Sequence, residues 1–369
     1  MHLKRLKVKD FRNYADLDIV FGGRNSFLFG DNAQGKSNLL EAIYFLAMLN
    51  SCRTTKGEEV VRWDTNGFYL CAEIERGGLD QLAEISFTGG KKTFRINSKR
   101  RHRFPSLEEG VKVVLFLPDD PQLIMGIPRA RRRFLNLEIS QIDPAYRHYL
   151  QRYQGILSQR NALLRKARWG RASAQGLAPW DEQLINSGAQ IVKRRAAAVS
   201  TLSRLAADVH KRLTRNREAL VLSYVPSFRT DQKIEENFRA ALERRREKEL
   251  SVGMTLVGPH RDGLGVSANG IDISRFGSRA QKRTAALSVR LGLVEMIRQI
   301  VGESPVVLLD DVLSELDSDR TEALLDFLAG RDAQCIITST DASHVGKDLR
   351  DVELFRISGA AVNRISAPL

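Results

Sequence analysis

One loop constrains this chain more than any other feature. The stretch LFGDNAQGKSNLLEAI, residues 28–43, has the spacing G-x-x-x-x-G-K-S of a phosphate-binding loop. Gly30 and Gly35 let the backbone curl with its N–H groups pointing inward, where Cβ atoms would collide. Lys36 is expected to reach the β- and γ-phosphates of a nucleotide, and the Ser37 hydroxyl is expected to bind Mg²⁺.

The sequence on either side of the loop fits this interpretation. Residues 26–29 are predicted as a strand, and residues 37–49 as a helix whose N-terminus faces the anion. The alternative is a glycine turn followed by a chance Lys-Ser pair, which does not account for a strand before the loop and a helix after it. The loop therefore predicts a nucleotide site.

A second segment is predicted to complete this site. PVVLLDDVLSELD, residues 305–317, is an apolar strand that ends in Asp310 and Asp311. A buried strand that ends in a carboxylate is how phosphate-loop proteins hold Mg²⁺, so Asp310 is expected to share the metal with Ser37. Asp311 follows, where a base that polarises the attacking water is needed. For Asp310 the alternative is a helix cap after the strand.

Length and composition limit the class of protein. With 369 residues the chain is long enough for roughly two domains, and it has no apolar run that could span a bilayer. Charged residues around Phe11 argue against a secretory leader. Cys52, Cys71 and Cys335 are scattered and show no metal spacing. We therefore expect a cytoplasmic protein without a membrane partner.

The net charge of +14 is unevenly distributed along the chain. Residues 1–125 hold 19 Lys/Arg and 16 Asp/Glu, residues 126–251 hold 26 and 12, and residues 252–369 hold 13 and 16. The net charges of the two outer segments, +3 and −3, cancel, so the whole excess of positive charge lies in the middle third. This excess favours a polyanionic partner, and nucleic acid is the first candidate. A solvated, arginine-rich helical surface is the alternative.

Periodicity predicts an α/β fold with a helical middle part. Alternating apolar and polar runs in the first third indicate antiparallel hairpins. These runs are residues 3–8, 16–21, 68–74, 82–87 and 93–96. Charged helical spacing, in runs of at most about 25 residues, marks the middle third. These helices are residues 131–137, 146–166, 181–205 and 238–250. Later strand–helix alternation implies a mostly parallel sheet covered by helices.

The segment FGSRAQKRTAALSVRLGLVEM, residues 276–296, resembles the signature segment of ABC-type ATPases. In that superfamily a serine at a helix N-terminus, here Ser278 with Gln281 nearby, reads the γ-phosphate of a neighbouring subunit. The resemblance implies a homodimer that closes on two ATP molecules. Ala280 replaces the signature glycine, and its Cβ is expected to crowd the γ-phosphate and weaken this second site. Asp311 replaces the usual glutamate, and its shorter side chain predicts slow hydrolysis.

Together these motifs resemble those of the RecF family in the ABC and SMC-like ATPase group. The similarity runs nearly end to end. Its marks are KDFRNY (9–14), GDNAQGKSNLLEAI (30–43), RRRFLNLEISQIDPAY (131–146), QRNALL (159–164), GPHRD (258–262), QKRT (281–284) and LLDDVLSELD (308–317). The resemblance implies an ABC-type P-loop ATPase head, a mixed sheet with an antiparallel subdomain, built from residues 1–125 and 252–369. Residues 126–251 are the expected basic helical arm.

The resemblance also implies roles for single residues. Arg12 is expected near the nucleotide, with a surface salt bridge as the alternative. Ser278 and Gln281 are expected to act across the dimer, together with Asp317. The expected ATP loop is Gly30, Asp31, Asn32, Ala33, Gln34, Gly35, Lys36, Ser37 and Asn38. The predicted catalytic residues are Lys36, Asp310 and Asp311, and the predicted Mg²⁺ ligands are Ser37 and Asp310. Gln122 and His344 are left open as further contacts.

The expected function is that of an ATP-gated clamp that binds DNA gaps or ends without sequence preference. The resemblance implies recombinational repair, RecA loading with RecR-type mediators, and SOS induction. Candidate DNA contacts are Arg131, Arg132, Arg133, Arg160, Arg165, Lys166, Arg194 and Arg195, with residues 99–103 as an additional basic loop. The rival hypothesis is an SMC-like nuclease or translocase. A transporter ATPase subunit is disfavoured by the charge of the arm.

Overall fold

The computed structural model describes residues 1–54, 56–101, 107, 109–171, 173–340 and 352–365. These residues divide into two compact units. The head unit lies within residues 1–120, 212–216 and 287–369, and the arm unit within residues 121–211 and 217–286. The prediction placed the boundaries near residues 125 and 252. The second one differs, because residues 252–286 belong to the arm unit.

One sheet of the head unit is mainly parallel. Its strands among the described residues are β3 (Asn25–Phe29), β8 (Val113–Phe116), β12 (Val306–Asp310), β13 (Cys335–Ser339), β14 (Val352–Ser358) and β15 (Ala361–Ile365). Their order is β15-β14-β3-β13-β12-β8, and only the β14–β15 pair is antiparallel. Because parallel strands end at the same edge, the ends of β3 and β12 bring Gly30 and Asp310 to that edge.

A second sheet of the head unit is antiparallel. It contains β1 (His2–Phe11), β2 (Tyr14–Val20), β4 (Gly67–Arg76), β5 (Leu79–Thr88), β6 (Lys91–Ile96) and β7 (Lys99–Arg101), in the order β2-β1-β4-β5-β6-β7. Glycine pairs form the β4–β5 and β5–β6 turns with positive φ angles, 54° and 74° at Gly77 and Gly78. The predicted hairpins are confirmed.

The helix after the nucleotide loop is buried between these sheets. This helix, α1 (Lys36–Met48), contacts β1, β4 and β5 of the antiparallel sheet and β8, β12 and β13 of the parallel one. Every residue from Leu39 to Met48 is buried. The helix is therefore apolar on nearly all sides, with the buried Glu41 as an exception that has its own partners. The head unit also contains α9 (Ser318–Ala329).

The arm unit is mostly helical. Its described helices are α2 (Pro121–Met125), α3 (Pro128–Ile142), α4 (Pro144–Arg168), α5 (Ala178–Leu213), α6 (Ile234–Val252) and α7 (Ile273–Phe276). α5 has 36 residues, longer than the predicted limit of about 25, and its last two residues are assigned to the head unit. The helix α8 (Arg279–Val301) begins in the arm unit and ends in the head unit. No helix within the described residues has the length and apolarity needed to cross a membrane.

A small sheet in the arm unit was not predicted. β9 (Leu220–Val225) pairs antiparallel with β10 (Gly263–Ala268), which also pairs with β11 (Ile271–Asp272). The segment predicted as a basic helical arm, residues 126–251, thus contains the strand β9 in addition to its helices. The pairing of β9 with β10 is also the physical reason why residues beyond 252 stay with the arm unit.

Candidate nucleotide-binding site

The loop between β3 and α1 forms a backbone cradle that tolerates only glycine at two positions. Gly30 has φ of 153°, and a Cβ there would lie 2.2 Å from the carbonyl oxygen of Ile357. Gly35 has φ of 117°, and its Cβ would lie 2.7 Å from Nδ2 of Asn13 and 2.9 Å from the hydroxyl of Tyr14. These approaches explain both glycines in the loop motif.

Lys36 is held inside the loop. Its Nζ donates hydrogen bonds to the carbonyl oxygens of Gly30, at 2.5 Å, and Asp31, at 2.7 Å. Burial lowers the pKa of Lys36, and the nearby charges of Asp311, Asp310 and Asp31 act in the opposite direction. The ammonium is therefore partly desolvated and lies against two carbonyl oxygens of the loop that the motif assigns to phosphate binding.

Ser37 and Asp310 meet at the edge of the parallel sheet. The Ser37 hydroxyl donates to Oδ1 of Asp310 at 2.7 Å, and the Thr338 hydroxyl donates to the same oxygen at 2.9 Å. Asp310 is buried at the end of β12. The predicted pairing of loop and strand end is present. Thr338, at the end of β13, is thus a further residue of this site.

Asp311 has an unusual backbone and an unsatisfied side-chain atom. Its φ is 51°, and its N–H lies 3.2 Å from the Thr338 carbonyl oxygen and 3.0 Å from the Thr338 hydroxyl. Its buried Oδ1 atom has no hydrogen-bond partner among the described residues. A buried carboxylate oxygen without a donor is an exception in folded proteins, and it is available to a water or a metal-bound group.

Arg12 is bound by acidic and backbone oxygens of its own unit. Its Nε and NH2 donate to the two oxygens of Glu41 at 2.9 and 2.8 Å, and its NH1 donates to the Glu59 carbonyl oxygen at 2.7 Å. Glu41 is fully buried and also accepts a hydrogen bond from Ser51. The salt-bridge alternative thus describes this side chain, although the partner is a buried acid. A nucleotide contact by Arg12 stays a prediction.

Arg53 is a residue of this site that the sequence analysis missed. Its NH1 donates to Oδ1 of Asn38 at 3.0 Å, and its NH2 lies 3.4 Å from Oδ2 of Asp310. Its NH1 is also 3.7 Å from Glu41. No motif marks this arginine. The one available signal is its position just after the loop helix.

Other residues of the predicted ATP loop are either anchored or exposed. Gln34 accepts the Gly359 N–H at 2.6 Å through its side chain and the Ala360 N–H at 3.2 Å through its carbonyl. Asn38 donates to Oδ1 of Asn13 at 2.8 Å. The loop positions that face solvent are Asp31, Asn32 and Ala33. These three are accessible to a ligand.

The residues predicted to act across a dimer serve as helix caps in this chain. Ser278 and Gln281 cap α8 reciprocally, with the Ser278 N–H donating to Gln281 Oε1 at 2.9 Å and the Gln281 N–H to Ser278 Oγ at 3.2 Å. Asp317 caps α9 and pairs with Arg320. Gln122 is exposed on α2, and His344 lies outside the described residues. Their contacts with a nucleotide stay predictions.

Two predicted DNA contacts are wrong because their side chains are buried. Arg160 has no exposed side-chain surface, and it binds Asp181 at 2.7 Å, Thr255 at 2.8 Å and Glu249 at 2.8 Å. Arg195 donates to the Pro259 carbonyl oxygen at 2.8 Å and lies 3.8 Å from Asp262. Both are internal groups of the arm unit that neutralise buried acids.

The remaining candidate DNA contacts are more accessible than Arg160 and Arg195. Arg131 and Arg132 are half-buried and donate to the carbonyl oxygens of Leu264 and Asp262. Arg133 is half-buried with partners of its own, and Arg194 pairs with Asp143 at 2.8 Å. Arg165 and Lys166 are exposed. In the loop at residues 99–103, residues 99–101 form β7, and His102 and Arg103 lie outside the described residues.

The head unit fits a nucleotide phosphate with Mg²⁺. Hard oxygen donors suit Mg²⁺, and Ser37 and Asp310 supply a hydroxyl and a carboxylate 2.7 Å apart. The backbone cradle at Gly30 and Gly35 leaves no room for a Cβ, as expected where phosphate approaches the main chain. The free Oδ1 of Asp311 adds a second carboxylate oxygen next to this pair in sequence.

Comparisons with known proteins agree with this geometry. The sequence model of the RecF/RecN/SMC N terminal domain family matches residues 2–360. A protein from Halalkalibacterium halodurans named DNA replication and repair protein RecF is 35% identical over 371 residues, which covers 99% of this chain and 100% of that protein. A protein of the same name from Shouchella clausii is 38% identical over 373 residues, with 99% and 100% covered.

Solved structures support the same assignment. A structure described as the recombination mediator protein RecF-ATP in the RecFOR pathway superposes with a TM-score of 0.89 at 32% identity, covering 99% of this chain and 98% of that one. The Smc head domain from Pyrococcus furiosus shares the fold, with a TM-score of 0.54 at 15% identity over 99% and 96% of the two chains. The fold is therefore that of an ABC-type ATPase head with a helical arm. The chain belongs to the RecF/RecN/SMC N-terminal domain family, and within that family to the RecF proteins.

Proposed function

We propose that this protein is an ATP-dependent DNA-binding protein of recombinational repair and replication, which closes as a homodimer when ATP binds. The observation that carries the proposal is the contact of Ser37 in the nucleotide loop with Asp310 at the end of β12. Full-length similarity to a structure named as an ATP complex of RecF supports ATP as the nucleotide. Repair and replication are the named roles of the similar proteins.

The chain's own groups divide the work at the nucleotide. Lys36 and the backbone N–H groups of the loop hold the phosphates, and Ser37 with Asp310 holds Mg²⁺. Mg²⁺ supplies charge neutralisation at the phosphate oxygens. Asp311 accepts a proton from the attacking water through its free Oδ1, with the Thr338 hydroxyl fixing its backbone. The short side chain of Asp311 makes turnover slow, which suits a switch better than a motor.

The dimer is proposed to form head to head around two ATP molecules. Ser278, Gln281 and Asp317 would then contact the nucleotide of the partner subunit. Each of these residues stands at or near a helix N-terminus in this chain, where backbone N–H groups favour an anion. Because Ser278 and Gln281 already cap each other, their hydrogen bonds would have to be exchanged or shared when a phosphate binds.

DNA is the proposed partner of the arm. The middle third carries 26 Lys/Arg against 12 Asp/Glu, and such an excess gives salt-dependent binding to phosphates without sequence preference. The proposed contacts are Arg131, Arg132, Arg133, Arg165, Lys166 and Arg194. Gaps and ends in duplex DNA are the proposed substrates. RecR-type mediators, RecA loading and SOS induction follow from the family resemblance.

The proposal is tested by light scattering with ATP, with and without duplex DNA, at two salt concentrations. Lys36→Met is compared with wild type and with Lys91→Met, which removes an exposed lysine on β6. Wild type and Lys91→Met are expected to dimerise with ATP and to bind DNA more tightly as dimers, whereas Lys36→Met stays monomeric. A wild type that binds DNA equally well without ATP would contradict the gating. DNA cleavage in the same samples with Mg²⁺ or Mn²⁺ would favour the nuclease hypothesis.

A further inference from the structure

An exposed tryptophan ends the helix α4 in the arm unit. Trp169 is the C-terminal cap residue of α4, and 71% of its surface is exposed. Gly170, with φ of 67°, turns the chain immediately after it. Tryptophan usually contributes a large apolar surface to a core or an interface, and an indole left largely in solvent at a helix end adds little buried apolar area to this chain.

Four cations surround this tryptophan in the sequence, and no acid does. The run Arg165 to Arg171 reads RKARWGR, and its four charged residues are all exposed. We call Arg165, Lys166, Arg168, Trp169 and Arg171 the basic tip. The Arg168 guanidinium lies 5.4 Å from the centre of the Trp169 ring. The tip is therefore a cluster of positive charge with an accessible aromatic face.

The tip rests on the end of a second helix, which fixes its position within the arm unit. A Cβ placed on Gly253, the cap of α6, would lie 3.3 Å from Cγ of Arg165 and 3.6 Å from Cδ of Arg168. The Arg168 NH1 also lies 3.5 Å from the Val252 carbonyl oxygen. The aliphatic parts of these two arginines thus pack on α6 while the charged ends stay near solvent.

Helix-dipole effects explain only part of this composition. Cations in the last turn of a helix are stabilising, which accounts for Arg165, Lys166 and Arg168. The dipole does not account for an exposed indole next to them. A polyanion that also offers flat aromatic rings would use both features, because phosphates pair with the cations and a base stacks on the indole. A duplex keeps its bases stacked inside, whereas single-stranded DNA can present them.

We propose that the basic tip is a binding site for single-stranded DNA, in which Trp169 stacks on an unpaired base and the surrounding cations bind the flanking phosphates. This inference rests on the proposed DNA-binding function and assigns to the basic tip the single-stranded part of a gap or end. Duplex DNA binds the tip through its phosphates alone.

The first test compares affinities for a single strand and for a duplex of equal length over a series of salt concentrations. The variants are Trp169→Ala and Trp169→Phe, with Trp63→Ala as the control, since Trp63 is 88% exposed and lies in the head unit. Trp169→Ala is expected to weaken single-strand binding by about 5- to 150-fold, the range for loss of one stacked base. Its duplex affinity and its salt dependence stay unchanged. Trp169→Phe retains most of the affinity, and Trp63→Ala retains all of it.

A second test observes the indole directly. In the variant Trp63→Phe/Trp180→Phe, Trp169 is the sole tryptophan, because the chain has three. Saturating single-stranded DNA is expected to quench its emission, whereas an abasic strand with the same number of phosphates is not. Quenching by both strands alike would show that charge alone acts at the tip, and it would overturn the stacking.

The outcomes separate the inference from the proposed function. If wild type binds duplex DNA with a steep salt dependence but Trp169→Ala binds the single strand as wild type does, the tip proposal is wrong and the DNA-binding function stands. If wild type binds neither DNA at any salt concentration, both fail. Folding of each variant is checked by its thermal unfolding, which an exposed position should leave within a few degrees of wild type.

Discussion

Arg53 places a cation beside the carboxylate of Asp310, with its NH2 atom 3.4 Å from Oδ2. The other carboxylate oxygen, Oδ1, accepts hydrogen bonds from Ser37 and Thr338. The oxygen that would be left for Mg²⁺ is thus the one that Arg53 faces, and the guanidinium would compete with a metal ion for it. Since 40% of the Arg53 side chain is exposed, the competition is moderated by solvent.

Removing this competitor should strengthen the binding of Mg²⁺. For Arg53→Gln we expect the Mg²⁺ concentration at half-saturation of ATP binding to fall by about three- to tenfold, because a positive charge leaves the metal site. Isothermal titration with ATP at a series of Mg²⁺ concentrations measures it. Arg95→Gln, an exposed arginine on β6, is the control. A higher half-saturating concentration would indicate that Arg53 binds the nucleotide itself.

The glycine cradle predicts a contrast between two Gly→Ala substitutions. Gly30→Ala places a Cβ 2.2 Å from a backbone oxygen at φ of 153°, so we expect a loss of roughly 1–3 kcal/mol in the free energy of unfolding, together with loss of ATP binding. Gly155→Ala, within α4, is the control, because a Cβ added at Gly155 would have no atom within 4 Å. It should stabilise the protein by about 0.5–1 kcal/mol. Chemical denaturation and ATP titration measure both. Unchanged ATP binding in Gly30→Ala would contradict the cradle.

Asp311 is predicted to control turnover without contributing much to binding. Asp311→Asn keeps the side-chain shape and remains compatible with the φ of 51°, but it cannot take a proton from water. We expect steady-state ATP hydrolysis to fall by roughly 100-fold, the usual scale for loss of a general base, with the ATP-dependent dimer retained. Asp64→Asn is the matched control, because Asp64 also has a positive φ, 63°, but is exposed. Equal turnover in both variants would exclude Asp311 as the base.

Sequence patterns were sufficient where the folding signal is local or repeated along an element. The glycine pairs and alternation identify the hairpins of the antiparallel sheet, and the apolar run ending in Asp310 identifies a parallel strand. The meeting of Ser37 with Asp310 follows, because parallel strands end at one edge. The arm sheet was missed because β9 lies within a charged helical segment and its partner β10 is distant in the chain.

Burial of charged residues was the other failure of the sequence analysis. An arginine is expected at the surface, and nothing in QRNALL shows that Arg160 is enclosed. Its acidic partners, Asp181 on α5 and Glu249 on α6, are far away in sequence. Arg53 and Glu41 escaped notice for the same reason, since their role arises from contacts that only the folded chain creates.

Substitutions of Arg160 and Arg165 should therefore have different effects, the first on stability and the second on DNA binding. Arg160→Ala leaves Glu249 buried without its cation, and we expect the free energy of unfolding to fall by about 3–5 kcal/mol. Arg165→Ala removes an exposed charge, so its stability should change by less than about 0.5 kcal/mol. The DNA affinity of Arg165→Ala should fall. The slope of log K against log salt concentration should become less steep by about 0.9 for a duplex. The opposite assignment, a stable Arg160→Ala with weak DNA binding, would restore Arg160 as a DNA contact.

His260 makes the arm unit sensitive to acid. The Tyr153 hydroxyl lies 2.7 Å from Nδ1, and Nε2 lies 3.1 Å from the Thr255 carbonyl oxygen, a pattern that suits a neutral ring. Burial, assisted by the charges of Arg261, Arg132 and Arg160, lowers the pKa of His260 from 6.5 to about 4. The unfolded chain thus binds a proton below pH 6.5 that the folded chain binds only near pH 4. Stability is therefore fully present above pH 6.5 and is lost as the pH falls toward 4.

Between pH 7.5 and pH 5 this single group should lower the free energy of unfolding by about 2 kcal/mol. In His260→Gln, whose amide keeps one donor and one acceptor, that part of the pH dependence should vanish. Urea unfolding at a series of pH values measures the difference between wild type and variant, which cancels the contribution of the carboxylates they share. His148→Gln, an exposed histidine on α4, should follow wild type at every pH. If His260→Gln also loses about 2 kcal/mol over this range, the acid sensitivity belongs to other groups and His260 is not held neutral by the fold.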